Sequence, residues 1–306
     1  MEIVIREPNI YNILPKYFGN EGRHETVTDV KFLDDKTLII ANRLAAMMYY
    51  VEFDLETKTF NILDGISLTY TLPGVEFKNG KFQKRSFPDF VDLMTIKGNT
   101  VYYVSLQKTI GQVDIINKKL IKRDLVVIPG QNAFHSITFH PVKKHMIYLS
   151  SAMFAPTRKL VVYNSITSEK KDIILPGLEG CLIKDTKFLE DGRIVISGSN
   201  GMISTKDDKK VYDGFIGLYS PDFKCIHLVK IPNIQNDAVS VKNDTIYLTT
   251  QGPSGGGKVM KYKVVENKLE FDGEIEIGGF PHGIDVRNNL LAVTAMTQSS
   301  VHLIPI

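Results

Sequence analysis

Cysteine is almost missing from this 306-residue chain, which has only Cys181 and Cys225 and no Cys-x-x-Cys pair. That scarcity excludes a disulfide scaffold and a thiolate metal centre. A dominant charge sign is also lacking, since 37 Lys and Arg stand against 34 Asp and Glu for a formal net charge of +3. So small a balance leaves no electrostatic footprint for nucleic acid or an anionic membrane surface, and neither is expected as a partner. No apolar run approaches the length of a membrane span, and Glu2, Arg6 and Glu7 interrupt the Met1–Asn9 segment where a secretion signal would stay apolar. A soluble cytoplasmic protein is the expectation. Helical periodicity is nowhere sustained beyond a turn or two.

What the chain does have is one hairpin phrase written six times: VKFLDDKTLII, LMTIKGNTVYYV, ITFHPVKKHMIYL, TKFLEDGRIVISG, VSVKNDTIYLTT and IDVRNNLLAVTA. Five of its turns, Asp34-Asp35, Gly98-Asn99, Asp191-Gly192, Asn243-Asp244 and Asn288-Asn289, use residues that reach positive φ or bond their own backbone, as a two-residue hairpin requires. The third copy has the longer turn Pro141-Val142-Lys143-Lys144. The copies mostly recur at about 45–50 residues, the size of a four-stranded propeller blade. Third and fourth strands follow most hairpins, as in MYYVEFD and TFNIL of the first copy and KLVVYN and KKDIIL of the third. The sixth copy ends at Ile306 with three strands made, and Glu2–Arg6 alternates polar and apolar like the strand it lacks. The fold predicted is all-β: one six-bladed β-propeller domain spanning residues 1–306, its last blade completed by the N-terminal strand, which would remove two open sheet edges.

In such a ring the starts of the inner strands and the ends of the second strands open on one face. The first set holds Thr28-Asp29, Val91-Asp92, His135-Ser136, Lys184-Asp185, Asn236-Asp237 and His282-Gly283. Asp29, Asp92, Asp185 and Asp237 thus read as carboxylates at one repeat position. Converging at about 6 Å in an effective dielectric near 20, each pair would repel by roughly 3 kcal/mol. A bound cation, a shared proton or donors such as His135, His282 and Lys184 could offset this; alternatively, each Asp accepts backbone amides of the next blade and ties the ring together. Oxygen ligands favour a hard cation, Ca²⁺ first, with Mg²⁺ or Mn²⁺ behind it.

His135 and His282 share a repeat position in blades three and six, which places them across the channel as candidates for proton transfer, together with Asp237. His24, Asn42, Arg43, Gln107, Asn200, Asn236 and Gln251 fall on the same face as candidate substrate contacts. Two insertions point to this rim. One is the surplus segment ISLTYTLPGVEFKNGKFQKRSFPDF before the second inner strand, whose Tyr70, Phe77, Phe82 and Phe87 suit a lid; the other is Gly201–Asp213. Gly252–Lys258 matches the phosphate-loop spacing G-x-x-x-x-G-K, but Val259 replaces the Mg²⁺-binding hydroxyl and a strand follows, so a hairpin loop is expected.

The repeat organisation, Phe139-His140-Pro141 and the phrase Phe280-Pro281-His282-Gly283-Ile284-Asp285-Val286 resemble six-bladed propellers of the gluconolactonase and senescence-marker type, with NHL-like propellers close behind. The resemblance implies a Ca²⁺ at the channel mouth, held by Glu, Asn and Asp, that polarises an oxygen of a small organic substrate. This chain departs from that set, with Asp29 in place of a Glu and Ser136 and Gly283 in blades three and six. The function expected is that of a Ca²⁺-dependent lactonase or esterase-type hydrolase. Its alternatives are a metal-free isomerase or cyclase using an Asp/His pair, and a non-catalytic propeller binding a ligand or protein on its ring face.

Overall fold

The computed structural model describes residues 3–6, 27–43, 45–78, 81–88, 91–105, 109–128, 134–151, 159–200, 213–252 and 256–306. Six antiparallel sheets, each with a run of four strands, stand round a common axis. The inner strands are Val27–Phe32, Val91–Lys97, Phe134–Phe139, Leu182–Phe188, Gln235–Lys242 and Pro281–Arg287, and each lies against the next in chain order until the sixth meets the first. In blade six the outermost strand is Ile3–Arg6, paired antiparallel with Ser300–Pro305 so that Ile3 faces Leu303 and Arg6 faces Ser300.

Second strands such as Thr37–Asn42, Ile194–Ser199 and Leu290–Ala295 are buried along their whole length, because each blade is covered on both faces. Alternation then sends successive side chains to different neighbours. Leu38 and Ile40 join an apolar cluster with Leu290, Ala292 and Leu303 of blade six, whereas Ile39 and Ala41 join one with Val91, Met94 and Tyr103 of blade two. Clusters of this kind fill all six gaps between consecutive blades. Each fully buried Leu or Ile contributes about 1.5–3 kcal/mol, so these gaps are the core of the fold.

Three of the predicted two-residue turns are present as such, with Gly98, Asn243 and Asn288 at φ of 60°, 52° and 50°. Asp34-Asp35 and Asp191-Gly192 sit instead in three-residue loops, closed by hydrogen bonds from Leu33 N to Thr37 O and from Leu189 N to Arg193 O. The aspartates explain the extra residue, since Asp34 Oδ1 accepts Lys36 N–H and Asp191 Oδ1 accepts Arg193 N–H. The surplus segment before blade two forms its own hairpin, Thr69–Lys78 with Lys81–Pro88, in a separate two-stranded sheet. The side chains of Tyr70, Phe77, Phe82 and Phe87 lie outside the described residues, as do residues 201–212.

Candidate functional site

Every inner strand slips register against its second strand near its start: between Val27 and Asp29, Val91 and Met94, Phe134 and Ile137, Ile183 and Asp185, Asn236 and Val239, and Pro281 and Ile284. A β-bulge of this kind inserts one residue and re-aims the side chains beside it. Aligned on the bulge, the six strands present two successive columns. The first holds Thr28, Asp92, His135, Lys184, Asp237 and His282; the second holds Asp29, Leu93, Ser136, Asp185, Ala238 and Gly283. This corrects the expectation of four aspartates at one repeat position. Asp92 and Asp237 belong to the first column and Asp29 and Asp185 to the second, one residue further along the chain.

The second column joins blade to blade. Asp29 accepts the N–H of Val30 at 2.9 Å, the Lys31 ammonium at 2.8 Å and, from blade two, the Met94 N–H at 2.7 Å. Asp185 repeats the pattern with Thr186, Lys187 and the Val239 N–H of blade five at 3.0 Å. Burial pushes the Asp29 carboxyl up to about 6 despite the opposing pull of Lys31 and the backbone donors. Leu93 crosses the axis to join the apolar cluster of blades five and six, with Ala238 and Ile284. Gly283 leaves no space, for a Cβ there would fall 2.3 Å from Asp29 Oδ1 and 2.6 Å from Thr28 O.

The first column gathers at the axis. The rings of His135 and His282 meet across it with centroids 5.2 Å apart. Lys184 places Nζ 2.8 Å from Asp237 Oδ1 and 3.3 Å from His135 Nε2, and Gln235 Nε2 donates to Asp237 Oδ2 at 3.3 Å. Asp92 Oδ1 lies 3.5 Å from His282 Nε2 and 3.4 Å from Arg43 Nη1. Asp92, His135, Lys184, Asp237 and His282 are each no more than 3% exposed. Burial would raise Asp92 and Asp237, but the surrounding His, Lys and Arg groups hold both below the usual carboxylate range. Burial moves His282 the other way, down to about 4. Among the described residues, Asp92, His135 and His282 offer ligand atoms that all lie within 4.8 Å of one another, a group that could hold a metal ion.

A hydroxyl on the second strand ties this tier together in four blades. Ser150, Ser197, Thr249 and Thr294 donate to the carbonyls of Lys184, Asp237, His282 and Thr28, each a first-column residue of the following blade, at 2.7–3.1 Å. Three of them also accept the N–H of the second-column residue in their own blade, namely Ser136, Ala238 and Gly283. Ala41 and Val104 hold the corresponding places in blades one and two. The recurrence of Ser or Thr at one place in the second strand was the signal for this device, which repeat reading alone overlooked.

The remaining candidates divide. Arg43 reaches the axial cluster through Asp92. Asn42 is buried and accepts Ala45 N–H, so it shapes the turn it starts. Asn200 closes the base of the 201–212 segment by accepting Asp213 N–H at 2.9 Å. Asn236 donates to Phe215 O at 2.8 Å, while its buried Oδ1 has no hydrogen-bond partner among the described residues. Gln251 pairs with Gln235 at the strand end, half-buried at the rim. His24 and Gln107 lie outside the described residues. Gly257–Val265 is a strand and Gly252 N bonds Gly256 O, as expected of a hairpin loop.

No protein-family model and no curated protein matches the chain. Solved structures do. One described as the RRP9 WD40 repeats matches with a TM-score of 0.58 at 12% identity, over 93% of this chain and 96% of that one. The WD40 β-propeller domain of Doa1 matches at 0.58 and 10%, over 92% and 94%. A chain of the Mitotic Checkpoint Complex matches at 0.55 and 12%, over 94% of this chain and 76% of that one. Identities this low establish the fold alone. The molecule is a six-bladed β-propeller whose named neighbours include WD40 domains, and the narrower kinship with gluconolactonase-type propellers is not what they carry.

Proposed function

We propose that this chain is a non-catalytic binding propeller that recognises a protein partner on the face where the inner strands begin. One observation carries this reading: the charges at the axis are spent on one another. Lys184 neutralises Asp237 and Arg43 stands against Asp92, at 2.8 and 3.4 Å. A Ca²⁺-dependent hydrolytic site needs an oxygen cage for the ion, whereas Asp29 and Asp185 are engaged in linking blades. Leu93 fills the axis beside them. What remains for recognition is the rim, with Arg43, Asn200 and Gln251 at its turns. The likeness to a chain described as part of a multiprotein assembly supports a protein rather than a small organic molecule as the ligand.

The test places a photocrosslinking residue at position 251, on the proposed face, or at Val142, in a hairpin turn at the opposite end of an inner strand. Protein adducts from position 251 alone, whose purified partner binds at least tenfold more weakly to Arg43→Glu, are expected. Turnover of lactones or aryl esters by the purified protein, lost in Asp237→Asn, would replace this reading with an enzyme.

A further inference from the structure

Two imidazoles at the axis have their tautomers set by backbone. His135 Nδ1 lies 2.9 Å from Lys184 O, and His282 Nδ1 lies 2.9 Å from Thr28 O. A carbonyl oxygen only accepts, so in each ring the Nδ1 atom carries the hydrogen. In the neutral rings both Nε2 atoms then present lone pairs to the axis. This is how histidine is held when it ligates a metal, with its other nitrogen donating to a carbonyl that fixes the ring.

The consequence is sharpest at His282. Its Nε2 faces Asp92 Oδ1 at 3.5 Å, so two acceptors confront each other in a site no more than 3% exposed. Either a proton on Nε2, which makes an imidazolium–carboxylate pair, or a bound cation joins them. Among the described residues Arg43 reaches the carboxylate through Nη1 at 3.4 Å, and Lys184 and His135 Nε2 both stand beside Asp237, at 2.8 and 3.4 Å. From this geometry we infer that Asp92, His135 and His282 form a structural site for a first-row transition cation of the Zn²⁺ class, tying blades two, three and six together across the axis. Two nitrogens and one carboxylate suit Zn²⁺ or Co²⁺, whereas Ca²⁺ and Mg²⁺ require oxygen. Three protein donors are one short of the four that close a structural zinc site and leave a fourth position open; it is their deep burial, each no more than 3% exposed, that argues for a structural role.

Two features set how the site loads. Bonds of about 2.1 Å put tetrahedral donors roughly 3.4 Å apart, so a cation draws these donors inward from their present spread of up to 4.8 Å. Lys184 opposes loading, because its ammonium already engages the His135 lone pair at 3.3 Å and adds positive charge. Removing that ammonium therefore tightens binding, which is the reverse of what loss of a ligand does.

The experiment titrates the metal-stripped full-length chain with Co²⁺, following the visible d–d absorption, and repeats the titration with Zn²⁺ by calorimetry. One equivalent should bind, at least 100-fold more weakly in Asp92→Asn and His282→Gln and at least tenfold more tightly in Lys184→Met. Absence of binding, or equal binding in the wild type and the ligand variants, overturns the site. Should the variants fail to fold, X-ray absorption of the Zn²⁺-loaded wild type decides: nitrogen and oxygen donors with two imidazoles support the site, and sulfur donors or a single imidazole contradict it. Neither result depends on whether a protein partner binds the rim.

Discussion

Lys184 and Asp237 form an ion pair at 2.8 Å from adjacent blades, with side chains only 2% and 1% exposed. A pair so deeply buried is costly to break from one side, because the survivor is left charged and unpartnered; such changes cost about 3–5 kcal/mol. Lys184→Met and Asp237→Leu should each lower stability in guanidinium by about that amount, while the double variant loses much less than the sum. Additive losses would show that the two charges do not depend on each other.

The hydroxyl ties give a second expectation. Thr294 donates to Thr28 O and accepts from Gly283 N, bridging blade six to blade one. Thr294→Val keeps the shape and strands the Gly283 N–H, while Thr28 O keeps its His282 Nδ1–H donor, so it should cost about 1–3 kcal/mol. An unchanged denaturation midpoint would mean that the Gly283 N–H finds another partner at no cost.

Gly283 is fixed by contact. A Cβ added there would meet the Cα of Asp29 at 2.5 Å as well as the carboxylate, and backbone cannot swing aside as a side chain can. Gly283→Ala should therefore separate blades six and one and cost about 4 kcal/mol or more. A soluble variant with wild-type thermal stability would contradict the close approach.

Asp29 predicts a pH dependence of definite sign. Its folded carboxyl titrates near 6, because burial raises it above the ordinary 3.8. Between those values the folded chain holds a proton that the unfolded chain has released. The contribution of Asp29 is thus fully present below about pH 4 and declines as pH rises through 6, by up to about 3 kcal/mol. The stability advantage of the wild type over Asp29→Asn should shrink along that range in urea titrations, and parallel profiles would refute the assignment.

The blades were legible in the sequence because two-period alternation and turn chemistry are local, and Gly98, Asn243 and Asn288 announce their hairpins without help from the rest of the chain. The axial site was legible only in part. His135 and His282 were placed opposite each other by counting blades, and they meet. The repeat position of the aspartates is not legible from the apolar pattern, because the residue before the first apolar position is not a fixed place in a bulged strand. Aligning Val30, Met94, Ile137, Val239 and Ile284 instead puts Asp92 and Asp237 with the histidines and leaves Asp29 one residue on. The role of Lys184 as counter-charge depends on a contact between blades about 50 residues apart, which no local pattern encodes.

Above all, Lys184 and Arg43 stand against Asp237 and Asp92 where calcium is expected from the sequence, and the protein is proposed to bind no Ca²⁺ there. Calorimetric titration of the metal-stripped protein with Ca²⁺ to about 10 mM, above the weakest usual protein sites, tests this directly. No saturable heat and an unchanged Tm are predicted. Saturable binding that raises Tm and disappears in Asp185→Ala and Asp237→Ala would contradict it.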